Sequence, residues 1–136
     1  MTTTSLRPRL LVVAGLLVLG AAWLGPLPAW SQHAFSAHML MHMAVVAVAA
    51  PLLAFGIAGT RADPARRWPA WFAPVVASII EFLVVWAWHA PALHHAARAS
   101  TALLVLEQAS FLAVGLLLWC SALGGDPHRR RERAAA

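Results

Sequence analysis

The chain has 136 residues, of which 61% are hydrophobic and only 11% charged, with a mean hydropathy of +0.71. So few charges cannot cover that much apolar side chain in water, which excludes a soluble domain of this size. The net charge of +5 does not mark a nucleic-acid partner, because no basic stripe is interleaved with aromatics on a polar surface.

An apolar stretch of roughly 20 residues crosses a bilayer as a helix. Four stretches qualify, so the expected fold is all-α, an integral membrane four-helix antiparallel bundle in one domain over residues 1–136. The first span runs from Leu10 to Leu24 and is stopped by "GPLP", whose prolines break helical hydrogen bonding. Its "RPRLLVVAGLLVLGAA" also has the charged start, apolar middle and small-residue end of a signal peptide, and cleavage there would leave three spans. The second span runs from Phe35 to Ile57, with Pro51 as an expected kink. The third runs from Trp71 to Ala90 and carries Pro74 in its first turn, where proline is tolerated. The fourth runs from Thr101 to Leu123, ended by "GGDP", and residues 124–136 form a basic tail. Cys120, the only cysteine, lies in this last apolar run, so no intrachain disulfide can form.

Arginines set the sidedness. Arg7 and Arg9 precede the first span, Arg61, Arg66 and Arg67 separate the second from the third, and Arg129, Arg130, Arg131 and Arg133 follow the fourth. Only Arg98 falls on the other side, so both termini and the middle loop are expected in the cytoplasm. Tryptophan fits the same frame. Trp23, Trp30, Trp86 and Trp88 fall at outer span ends and Trp68, Trp71 and Trp119 at inner ones, where indoles sit at the headgroup level.

In that frame six of the seven histidines, numbers 33, 38, 42, 89, 94 and 95, gather at the outer side. His38 and His42 are four apart and share one helix face. Counted from Phe35 they lie roughly 5 and 10 Å below the outer edge, and Glu107 lies about 9 Å below it when counted from Thr101. His89 closes the third span just before Pro91. A carboxylate at such depth costs a few kcal/mol even on gentle insertion scales, so Glu107 must be protonated, paired with histidine or bound to a cation. Three helices thus bring His38, His42, His89 and Glu107 to one depth as candidate metal ligands.

Methionine adds a preference, since thioether with imidazole suits copper(I). Met39 and Met41 are candidate thioether ligands, although flexible apolar methionine also serves as ordinary packing. A structural hydrogen-bond role is the alternative for the His38–His42 pair. Glu81, about 12 Å below His89 by helical rise, is too deep to join the outer group directly; proton handling and interhelical hydrogen bonding are equal readings of it. His33, His94 and His95 read either as solvated interfacial residues or as residues that capture metal before it moves inward.

These segments resemble the CtaG family of cytochrome c oxidase assembly factors, as a short variant. "FSAHMLMHM" carries its His-x-x-x-His pair in His38 and His42, and "WHAP" its Trp-His-x-Pro turn in Trp88, His89 and Pro91. "LEQASFLAVG" carries the following Glu, Phe and Gly in Glu107, Phe111 and Gly115. The chain departs from the pattern at Gln108, where the family usually has histidine, and at His94, where tyrosine is common.

The resemblance implies a bacterial cytoplasmic-membrane protein that binds or positions copper, as Cu(I), for the catalytic subunit of a heme-copper oxidase. Its partners would be oxidase subunits, the lipid bilayer, a periplasmic copper donor and, in a homo-oligomer, a second copy. The rival reading is a heme-binding subunit, with His42 and His89 on opposite faces of one iron, or a structural accessory subunit of a respiratory complex. No nucleophile–base pair or phosphate-cradling loop occurs, so no enzymatic activity is expected. Glu107 would be either a ligand or a carboxylate that orients histidine.

Overall fold

A computed structural model describes residues 3–125 of the chain. The expected basic tail, with His128 and its four arginines, lies outside the described residues, apart from its first glycines. Among the described residues the chain is helical throughout, with no strand.

Helix α1 (Thr3–Leu24) stops where Gly25 and Pro26 follow, and Pro26 then caps a short helix, α2 (Leu27–Ser31). The second apolar stretch is continuous over Phe35–Ile57. It is built of α3 (Phe35–Met43), a π-helical turn over Ala44–Ala49, and α4 (Ala50–Ile57).

The proline expected as a kink fits this turn, since in regular α register its ring would meet the Ala47 carbonyl. In the wider register Ala50 N–H donates to the Val45 carbonyl, so the next residue, Pro51, should serve Val46 and has no N–H to give. The indole N–H of Trp119 donates to that Val46 carbonyl at 3.1 Å instead. A side chain from a neighbouring helix thus satisfies the acceptor that proline leaves free.

Short helix α5 (Pro64–Arg67) begins at Asp63, whose Oδ1 accepts from Ala65 N–H at 3.0 Å. Its other oxygen accepts from the N–H of Gly59 at 2.8 Å and of Gly125 at 2.9 Å. The buried carboxylate therefore ties the α4–α5 loop to the end of the last helix, α8 (Thr101–Leu123).

The third expected span is shorter than Trp71 to Ala90. Helix α6 covers Pro74–His89, 16 residues, which is about 24 Å of helix. Both limits come from prolines, since Ala73 and Ala90 each precede one and each adopts extended backbone. Beyond Ala90 the chain turns by 70° into α7 (Pro91–Ala99). Three helices are long and apolar enough to cross a membrane, or four if the bent α6–α7 pair counts as one span.

Helix α8 occupies the centre, packed against α4 and the π-helical turn on one side and α6 on the other, while α1 lies against α4 and the π-helical turn. Small residues permit the close approach. A Cβ on Gly115 would come within 3.1 Å of Ala50 Cβ, and one on Gly15 within 2.8 Å of Leu53. Large apolar side chains point outward instead, with Val75 72%, Leu17 69% and Trp86 64% exposed. A surface this apolar fits lipid rather than water.

The tryptophans divide. Trp30, Trp68, Trp71 and Trp86 are exposed as a headgroup belt requires. Trp88, Trp23 and Trp119 turn inward to hydrogen bonds, Trp88 donating to Ser110 Oγ at 2.8 Å and so fastening α6 to α8. For these three a buried donor in need of an acceptor outweighs the interfacial preference.

Candidate metal centre

His38 and His42 project from one face of α3, one turn apart, toward Glu107 on α8. They are 1%, 5% and 1% exposed respectively. The two Nε2 atoms are 2.8 Å apart, and Glu107 Oε1 lies 3.6 Å from the first and 3.7 Å from the second. Three ligand-type atoms of these residues thus fall within 4.8 Å of one another.

A directional hydrogen-bond chain sets the protons. An indole N–H can only donate, so Trp23 Nε1 fixes Gln108 Oε1 as its acceptor, at 3.3 Å. The Gln108 amide group therefore donates to His42 Nδ1 at 2.8 Å. A neutral His42 then carries its proton on Nε2 and donates it to His38 Nε2, which places the His38 proton on Nδ1. There the chain ends. His38 Nδ1 and both Glu107 oxygens are buried without a hydrogen-bond partner. Each such group costs about 1–3 kcal/mol, and a charged one more. The open carboxylate is an oxygen ligand that a cation or a hydrogen-bond donor could take up, whereas the open Nδ1 carries a proton and offers no lone pair.

Of the other expected ligands, the structure brings some close and leaves others aside. His89 is exposed, its Nδ1–H donates to the Val85 carbonyl at 2.7 Å, and its ring lies 6.0 Å from that of His42. It lies outside the three-residue group and instead lines a cleft of about 290 Å³ with Met39, Met43, His42 and Phe111. Glu81 lines the same cleft, deeper along α6. Met41 is fully buried on the other side, where it lines a cavity of about 310 Å³ with Trp23 and Gln108.

Two residues acquire contacts that spacing along the chain did not give. Gln108 is the hydrogen-bond partner of His42, and a polar residue directly after a buried glutamate was the signal for it. His94 packs its ring 4.9 Å from that of His38, because the bend at Pro91 folds α7 back over the start of α3. His33 is exposed at the α2–α3 junction.

No curated protein and no solved structure matches this chain. The family model described as cytochrome c oxidase caa3 assembly factor (Caa3_CtaG) matches residues 4–136, nearly the whole length, with His38, His42 and Glu107 inside the matched region. The chain belongs to the Caa3_CtaG family of cytochrome c oxidase caa3 assembly factors.

Proposed function

We propose that this assembly factor carries copper(I) transiently on His38, His42 and Glu107 and positions it for the catalytic subunit of the oxidase. The observation that carries the reading is the group of three buried ligand-type residues within 4.8 Å of one another, with both Glu107 oxygens left unpartnered. Copper is cargo, taken up and released by ligand exchange without change of oxidation state. The metal takes the Nε2 lone pairs of the two imidazoles, and the carboxylate offsets its charge in a low-dielectric setting.

In this reading α6 alone makes the fourth crossing, and α7, bent by 70°, lies at its outer end. Both termini lie in the cytoplasm, as the arginine distribution requires, and the histidine end faces the periplasm. The short α6 is accommodated by local thinning of the bilayer or by a neighbouring subunit. Delivery from that side, which the family resemblance implies, would use the end of the bundle at which His38 and His42 are held.

The test is copper quantification on the purified protein and on a His38→Ala/His42→Ala variant, with oxidase activity measured in host membranes. Copper bound by the wild type and lost from the variant, together with lowered oxidase, is expected. Equal copper in both proteins with normal oxidase would overturn the reading.

A further inference from the structure

The residues of the cluster are only 1–5% exposed, so a cation needs a way in. Four imidazoles form a continuous file on this end of the bundle. The ring of His95 lies 5.9 Å from that of His94, His94 lies 4.9 Å from His38, and His38 lies 4.1 Å from His42. Exposure falls along the file, from exposed His95 through half-buried His94 to the two buried residues.

The position of the first two is built, not incidental. Pro91 starts α7 at the 70° bend, buried Ala97 seats it, and Arg98 Nη2 donates to the Gln32 carbonyl at 2.9 Å just before α3. Phe35 flanks His94 at 6.3 Å between ring centres. These contacts hold α7 over the first turn of α3 and leave His95 on the open side.

We propose that His95 and His94 are the access ladder of this site: a soft monovalent cation binds the exposed imidazole and moves inward by ligand exchange through His94 to His38 and His42. Each step makes one metal–nitrogen bond as another breaks, with no change of oxidation state. His94 is a positioning and relay residue rather than a permanent ligand, since the compact group of ligand atoms consists of His38, His42 and Glu107 without it. The proposal rests on the metal-carrier reading above and adds the direction from which the cargo arrives.

The experiment measures silver(I) uptake over time, as a redox-inert stand-in for copper(I), by the full-length protein in lipid nanodiscs. The proteins compared are wild type, His94→Ala/His95→Ala, His94→Gln/His95→Gln, and His33→Ala as a control on an exposed histidine outside the file. Helicity and melting temperature are checked for each. Both double variants are expected to fill to the wild-type stoichiometry but about tenfold more slowly or worse, within the range over which association rates vary among variants of one site. His33→Ala is expected to match wild type. An unchanged filling rate in folded double variants overturns the ladder while leaving the carrier reading intact. Loss of the bound metal itself from both double variants also overturns it, by making His94 a member of the holding site. A wild type that takes up no silver overturns both readings.

Discussion

Gln108 donates from its side-chain amide to His42 Nδ1 at 2.8 Å, and this bond decides which nitrogen of His42 is open to a cation. With Nδ1 accepting, the neutral ring keeps a proton on Nε2, the atom that faces His38 and Glu107. A metal at Nε2 must move that proton to Nδ1, which requires the Gln108 amide to rotate and present its oxygen. Rotation breaks the bond from Trp23 to Gln108. Loading would therefore be opposed by two hydrogen bonds, the part-buried one from Trp23 to Gln108 and the buried one between His42 and His38.

Trp23→Phe removes the donor that holds the amide in place while keeping most of the ring. A net hydrogen bond is worth about 0.5–1.5 kcal/mol, so affinity for silver(I) or copper(I) should rise by up to about tenfold. Competition titration against a chelator of known affinity measures it. Unchanged or weaker affinity in a folded variant would show that the amide does not govern His42.

Glu107→Gln should separate stability from binding. The buried carboxylate has no hydrogen-bond partner, and a neutral amide of the same shape lowers the cost of placing it in a membrane helix. The melting temperature in detergent should hold or rise while metal affinity falls, the trade expected of a group kept for function. A variant that melts lower yet binds as before would identify Glu107 as a structural residue.

Asp63 controls the opposite end of the bundle. Its carboxylate accepts from the N–H groups of Gly59, Ala65 and Gly125, and Asp63→Ala leaves all three without that acceptor. A loss of about 3 kcal/mol is expected from the lost cap and the orphaned donors together, read as a lowered denaturation midpoint. Metal stoichiometry measured below that midpoint should be unchanged, because the histidine cluster lies at the other end of α8.

The sequence-level expectations held where one long apolar run carried the signal. The bounds Phe35–Ile57 and Thr101–Leu123 reappear in the structure, and helical spacing alone stacks His38 on His42. The third span came out short because prolines at positions 74 and 91 cut it at both ends. Depth along helices aligned His89 with the site, but depth says nothing of azimuth, and His89 faces the α3–α6 cleft rather than the buried group. Whether His94 is solvated or meets His38 was open in the sequence, because the bend that folds α7 back over α3 is a tertiary feature. The role of Gln108 likewise depends on Trp23, 85 residues away in the chain.

The π-helical turn offers the last test, because it sets the azimuth of the histidines. A π-helical turn holds one residue more than the α-helix it interrupts, and one residue is about 100° of rotation. With α4 fixed against α8 through Ala50 and Gly115, a regular α-helix over Ala44–Ala49 would swing His38 and His42 away from Glu107. Two features hold the wide turn: Pro51, whose ring would meet the Ala47 carbonyl in regular α register, and Trp119, whose indole N–H serves Val46. Pro51→Ala/Trp119→Phe removes both and lets the helix close to regular α register. Metal affinity should fall by more in the double variant than the two single effects add to, with helicity preserved, as expected of residues acting on one element. Strictly additive small losses would mean that packing elsewhere, and not this turn, aims the imidazoles at the carboxylate.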